Sequence, residues 1–407
     1  GNDENDVTVP VGCVVLEKLS EDVIAHLLGQ FLSPTQICNV AKTCRMLRSL
    51  CVFGEKSAKI WQAVCERTWR EPSRHFATPR MNWRAFCLER TSMDERWQHG
   101  LVNSRVTVLK SDQAPVFNVT MHGNIVASAE DCNVRIFDVA RKQCVKTFNC
   151  HPSGHRMVLG LWMDEACNTV LSGGADGDIK VWDMKKGTCK RVLAGHQNAV
   201  VSLKADKDKI VSTSFDGTAR VWSWAGRSEM VLEGHRGHVC GLWLQPSQQG
   251  SNVWTGADDG LIRRWDIHTG LCQLELVQES LSGATSSIWA VQASEAAVVT
   301  GATDGSVRVW DIASGREVLQ LSGHKDAVAG LVFDDDKIVT SAFDGTVRVW
   351  DWRTMRCRGT VDLLQASQNA TPIGMSPHQR RCTRLSMDDH KVVVGCIDGT
   401  IYCIDVC

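Results

Sequence analysis

The chain has 407 residues, of which 43% are hydrophobic and 22% charged, enough to bury a sizeable core and too apolar for a disordered chain. The formal net charge is −1, which argues against a general nucleic-acid binder or a binder of acidic membrane surfaces. No apolar run reaches membrane-spanning length and no basic-then-apolar leader opens the sequence, so the expected setting is cytoplasmic, nuclear or both.

Residues 1–14 are polar and acidic at their start (Gly1-Asn2-Asp3-Glu4-Asn5-Asp6) and read as a disordered tail. Over residues 15–66 the texture is helical. Val23, Ile24, Leu27, Leu28 and Phe31 recur at helical spacing behind Ser20, a good N-cap followed by Glu21 and Asp22. Ser33-Pro34-Thr35-Gln36 announces a second helix with an apolar face of Ile37, Val40, Cys44 and Leu47, and Ile60-Trp61 adds a later apolar point. By themselves these residues describe a small helical domain burying its own face. A helical linker is expected over residues 67–100.

The order Leu19-Ser20-Glu21-Asp22-Val23-Ile24, then Leu32-Ser33-Pro34, Val40-x3-Cys44-Arg45-x-Leu47 and Ile60-Trp61-Gln62 resembles an F-box. It departs from that family in having Ser20 where a proline is usual, and in a longer stretch before Trp61. The resemblance implies docking on a Skp-type adaptor, itself joined to a cullin, through Leu19, Val23, Ile24, Leu27, Leu28, Pro34, Ile37, Val40, Leu47 and Trp61.

Next comes an alternating segment, Ser104-Arg105-Val106-Thr107-Val108-Leu109-Lys110, which predicts a strand. A repeated phrase follows. Val299-Thr300-Gly301-Ala302-Thr303-Asp304-Gly305-Ser306-Val307-Arg308-Val309-Trp310-Asp311 is echoed by Val339-Thr340-Ser341-Ala342-Phe343-Asp344-Gly345-Thr346-Val347-Arg348-Val349-Trp350-Asp351. Its closing positions are 138, 183, 223, 266, 311, 351 and 405, spaced 45, 40, 43, 45, 40 and 54 apart. That period is that of a four-stranded blade, so residues 101–407 predict a seven-bladed β-propeller. In each unit an apolar strand leads into Asp-Gly, which tolerates the positive φ of a tight hairpin, and an alternating strand ends in Trp-Asp. The sequence stops after the third strand of the last blade, so Ser104–Lys110 is expected to supply its fourth.

These repeats resemble the WD-repeat family, which adds a Gly-His before the first strand. The resemblance implies hydrogen-bonded tetrads of His196, Ser212, Asp216 and Trp222; of His235, Thr255, Asp259 and Trp265; and of His324, Thr340, Asp344 and Trp350. A fourth is expected at His155, Ser172, Asp176 and Trp182, and the fifth blade lacks a histidine. The period makes these groups structural rather than catalytic. No phosphate loop, nucleophile elbow or zinc-protease phrase stands out, and no cofactor or metal is called for. Cys150-His151-x3-His155 reads as an incidental loop, and most of the 18 cysteines as small buried residues kept reduced.

The same resemblance places partner-facing residues at the start of each first strand and just before each turn Asp. The candidates for binding are Phe117, Glu130, Leu159, Val201, Phe215, His238, Asp258, Trp289, Phe343 and Arg381. Arginine is missing from the rim positions themselves, which argues against a phosphorylated ligand and for an unmodified segment with apolar or aromatic anchors. Glu130 and Asp258 are expected to select a basic residue in it. An F-box followed by WD repeats implies a non-catalytic substrate receptor of a Skp–cullin–F-box ubiquitin ligase. The alternative is a WD-repeat scaffold outside any ligase.

Overall fold

A computed structural model of the chain describes residues 105–405, apart from 112–113, 152–156, 246–251, 279–284, 335–336, 353, 364–380 and 389. Before residue 105 it describes Ile37, Ile60, Trp61, Ala63, Val64 and Trp97. Backbone proximity divides the chain into two units, Gly1–Gln98 and His99–Cys407.

Each blade is built the way its sequence reads. In the blade spanning 158–193, the continuous apolar strand Thr169–Gly174 is buried at every position, because its two faces pack on two neighbouring blades. The outer strand of the same blade, Thr188–Leu193, is exposed at every position but its last. The turn between second and third strands needs a positive φ, and glycine supplies it: Gly217 has φ +84° and Gly345 φ +79°. The first blade has no glycine there, and Asp131 itself adopts φ +48°.

Six sheets have their four strands in sequence order, giving blades 1 to 6 over residues 116–149, 158–193, 200–232, 239–277, 288–321 and 328–362. Their first strands pack side by side in ring order around a central channel, and the ring is completed by the first strand of blade 7, Cys382–Met387. Neighbouring blades approach closely at this inner edge. A Cβ on Gly301 would lie 2.6 Å from Val328 Cγ1 of the next blade, so the glycine is required by packing.

Blade 7 is closed from the other end of the propeller. The strand Arg105–Ser111 pairs antiparallel with Thr400–Asp405, from Arg105 opposite Asp405 to Ser111 opposite Thr400. The alternating segment therefore does join the last blade, one residue later than predicted. This pairing removes two free edges and buries Leu109 in a cluster with Val393 and Ile401.

Three expectations are corrected here. Among the eleven described cysteines five are buried and five exposed. Four of the exposed ones, Cys144, Cys189, Cys272 and Cys357, hold one repeated position opposite the motif aromatic residue at the bulge of an outer strand. Each thiol donates to the carbonyl two residues on, as Cys189 does to Arg191 O at 3.3 Å. Secondly, Ile37 and Trp61 are helical and fully buried within the chain, so neither presents a surface to an adaptor. The other predicted adaptor residues (Leu19, Val23, Ile24, Leu27, Leu28, Pro34, Val40 and Leu47) lie outside the described residues. So do the acidic tail, most of the F-box-like segment and nearly all of the linker. Thirdly, blade 2 draws its histidine from His151 rather than His155, which is outside the described residues.

Candidate functional site

The His, Ser/Thr, Asp and Trp groups come together as rows. In blade 3, Trp222 Nε1–H donates to Ser212 Oγ at 2.8 Å, and Ser212 Oγ lies 2.8 Å from His196 Nε2. His196 Nδ1 lies 2.7 Å from Asp216 Oδ2. With the proton on Nδ1, every polar group in the row is satisfied. Blades 4 and 6 repeat the row, with His235–Thr255 and His324–Thr340 both at 2.7 Å, closed by Asp259 and Trp265 and by Asp344 and Trp350.

The Ser212–His196–Asp216 order is that of a hydrolytic triad, and its environment shows why it does no such chemistry. Ser212 is completely buried and its oxygen already accepts from an indole N–H, so no substrate carbonyl can reach it. Burial alone would raise the Asp216 carboxyl, but hydrogen bonds from Thr218, the Gln197 N–H and His196 outweigh it and hold it at about 2. Burial lowers the affinity of His196 for a proton despite Asp216. A buried anion braced by neutral donors is a clamp between strand and turn.

Blades 2 and 5 keep part of the row. In blade 2 His151 Nδ1 meets Asp176 Oδ2 at 2.8 Å and Trp182 donates to Ser172, but His151 Nε2 has no hydrogen-bond partner among the described residues. In blade 5 Gln278 stands in for histidine, with its Oε1 2.9 Å from Thr300 Oγ1. Cys150 of the suspected metal phrase donates to Phe148 O at 3.6 Å, so its loop serves the blade.

The binding candidates converge elsewhere, at one mouth of the channel. A cavity of about 410 Å³ is lined there by the second residue of all seven first strands, among them Phe117, Leu159, Val201, Cys240 and Trp289. Phe215, Asp258, Phe343 and Ile397 join from the turns, and His238 from a loop. The rings are held by one another. Trp289 meets Phe343 edge-to-face at 5.2 Å, and Phe215 lies 4.5 Å from the His238 ring. Arg381 does not line the cavity; its guanidinium covers Phe343 at 5.3 Å.

The expected acidic selectors are both otherwise engaged. Glu130 is buried, accepting from Ser128 Oγ and pairing with Arg135 at 3.4 Å, so it does not reach the mouth. Its backbone is still paired in the ladder opposite Val116, where blades 3 and 4 have Ser214 and Ala257, so its side chain is buried and needs those partners. Asp258 does line the cavity, but His238 Nδ1 lies 3.2 Å from one of its oxygens and the Cys240 thiol 4.0 Å from the other. Burial, with the Asp258 charge added, pushes the Cys240 thiol up to about 12, so it stays protonated.

Two cations escaped the sequence reading. Arg384 sits at the floor of the upper cavity and donates from Nη1 to Trp289 O at 2.9 Å and from Nη2 to Cys240 O at 3.0 Å. Lys204 lines a second cavity of about 110 Å³ further into the channel, which Arg384 also lines. The signal was present: at the place of Arg384 the other six first strands carry Asn118, Gly160, Ser202, Gly241, Ala290 and Gly330. A single long cation among small residues at one repeat position marks a feature the fold does not require.

A family model described as WD domain, G-beta repeat matches residues 142–183, 187–223, 275–311 and 315–351. These four stretches match WD40 repeats. Each match begins at or near the outer strand of one blade and ends on the third strand of the next, so repeat and blade are offset by one strand. Among curated relatives, the chain is 30% identical over 172 residues to the DENN domain and WD repeat-containing protein SCD1 of Arabidopsis thaliana, covering 42% of this chain and 14% of that protein. It is 27% identical over 264 residues to Autophagy-related protein 16 of Arabidopsis thaliana, covering 64% of this chain and 49% of that one. The chain thus spans about half, or far less, of these relatives' length. A crystal structure of the computationally designed Ika8 protein is similar at 29% identity and a TM-score of 0.55, over 73% of this chain and 98% of that chain.

Proposed function

We propose that this WD40 propeller is a non-catalytic receptor for a segment of another protein, held at the channel mouth by apolar and aromatic anchors. One observation carries this. Phe117, Phe215, Trp289 and Phe343 come from four different blades and line a single cavity of about 410 Å³. Rigid rings set by a rigid ring of blades lose little entropy on binding, which is how a small anchor site gains affinity. An array of unmodified peptides tests it. Binding that disappears when the partner is treated with phosphatase would overturn the choice of an unmodified segment.

A second reading is favoured by the order of motifs before the propeller. The phrase from Leu19 to Trp61 resembles an F-box, and this supports a substrate receptor of a Skp–cullin–F-box ubiquitin ligase acting in the cytoplasm or nucleus. Such a receptor makes no bond itself; it raises the local concentration of substrate lysines at the loaded enzyme. Recovery of the full chain from its native cells tests this. A Skp-type adaptor and a cullin that accompany it, and are lost on Leu27→Asp, support the ligase reading; their absence under gentle conditions leaves the scaffold.

A further inference from the structure

The upper cavity is apolar on its walls and cationic on its floor. Arg384 is partly buried there, and its two hydrogen bonds leave three N–H groups unused. No carboxylate pairs with it among the described residues. Lys204 is the next charge into the channel. Its ammonium lies 5.4 Å above the Trp243 ring and meets no carboxylate either. Burial, with Arg384 nearby, lowers this amine to about 8. The smaller cavity is walled by all seven first strands, and none of the described residues lining it is acidic. Asp258, the one acid among the described residues that line the upper cavity, lies beside His238 and Cys240.

Two partly buried like charges lining one cavity repel each other, and the other six blades place neutral groups at the Arg384 position. A ligand carboxylate would supply a counter-charge that no described residue places on Arg384 or Lys204. The geometry points to a peptide ligand with an acidic side chain, whose carboxylate descends between the aromatic walls to the Arg384 guanidinium, with Lys204 behind it. This rests on the reading of the upper cavity as a peptide site and reverses the expected preference for a basic residue. The walls take the apolar anchors, and the floor takes one aspartate or glutamate in a paired, desolvated geometry. The same chemistry would also hold a free phosphate ion, and the test separates the two.

The probe is a library of random twelve-residue peptides displayed against the purified full chain. The expected result is an acidic residue recurring at a fixed distance from an aromatic or leucine. Changing that acid to its amide, or Arg384→Gln in the chain, should each weaken binding by about 30-fold, and both together no more than either alone. Arg384 ties two strands together, so Lys204→Met, which removes no hydrogen bond, is the second variant. It should weaken the acidic peptide several-fold and leave its amide version unchanged. Selected peptides that lack an acid but are lost on Trp289→Ala would overturn the inference and keep the peptide site. Peptides indifferent to Trp289→Ala would overturn the site as well. Inorganic phosphate titrated calorimetrically, bound by the chain and lost on Arg384→Gln while selected peptides lack an acid, would assign the floor to a free anion and overturn the inference.

Discussion

Gln278 Oε1 accepts a hydrogen bond from Thr300 Oγ1 at 2.9 Å, the contact that a histidine makes in blades 3, 4 and 6. The threonine in turn accepts from Trp310 Nε1 at 3.2 Å. Glutamine can continue the row because only an acceptor is needed beside the hydroxyl. It does not extend it: the Gln278 amide nitrogen has no hydrogen-bond partner among the described residues, and Asp304 accepts from the Ser306 N–H and hydroxyl as Asp216 does from Thr218.

Thr300→Val, nearly isosteric, strands both the Trp310 N–H and the Gln278 oxygen in the core. It should cost about 2 kcal/mol in chemical denaturation, a size set by buried polar groups left unpaired. Thr340→Val in blade 6 should cost at least as much, since it strands Trp350 and His324. A loss no larger than for a surface threonine would show that the rows carry no stability.

Acid should destabilise the propeller in two stages. Burial lowers the His196 pKa below its ordinary 6.5, so the unfolded chain takes up the proton first, and stability falls as pH drops below about 6.5. Asp216 is held at about 2 against an unfolded value near 3.9, so its contribution is complete above about pH 4 and is lost as pH falls through 2. Melting curves should therefore show a lower Tm at pH 5 than at pH 7, with a flatter slope between them in His196→Gln.

Lys204 should cost stability wherever it is charged. Its amine is lowered to about 8 from 10.5, so the folded state pays for the proton at every pH below 8 and is relieved as pH rises from 8 to 10.5. Lys204→Met should raise Tm at pH 7, and the gain should shrink towards pH 10. An equal gain at both pH values would mean that the ammonium is solvated.

Deleting residues 101–110 removes most of the closing strand. It exposes the edge of Thr400–Asp405 and uncovers the cluster around Val393 and Ile401. Tm should fall sharply and aggregation should rise, because a bare edge pairs with other chains. An unchanged melting curve would rule out the closure.

Trp289→Ala removes the ring that packs on Phe343 and keeps the Trp289 backbone carbonyl that binds Arg384. Affinity for a selected peptide should drop by about 2 kcal/mol, or about 30-fold, as for a central aromatic anchor. Tm should change little, because Trp289 is only half-buried at the cavity wall.

The sequence alone was enough for the number of blades, the turns and three of the hydrogen-bonded rows, because each depends on local rules repeated at a fixed period. Asp216-Gly217 turns wherever it stands between two strands, and Trp222 falls ten residues after Ser212 in the same hairpin. It also showed that Ser104–Lys110 alternates, and counting strands left that segment one place to go. Tertiary structure decided what depends on neighbours from distant repeats. Glu130 and Asp258 both stand just before a turn Asp in the sequence, yet Glu130 is still paired in the ladder opposite Val116, where blade 4 has Ala257, and is buried against Arg135, while Asp258 lies past the ladder and lines the mouth beside His238. His151 and Gln278 fill places that no Gly-His phrase announced, since only the loop's path brings them to Asp176 and Thr300. The charge of the channel is the clearest case. Lys204 and Arg384 are 180 positions apart in the chain and belong to blades 3 and 7, and only closure of the ring makes them line one cavity.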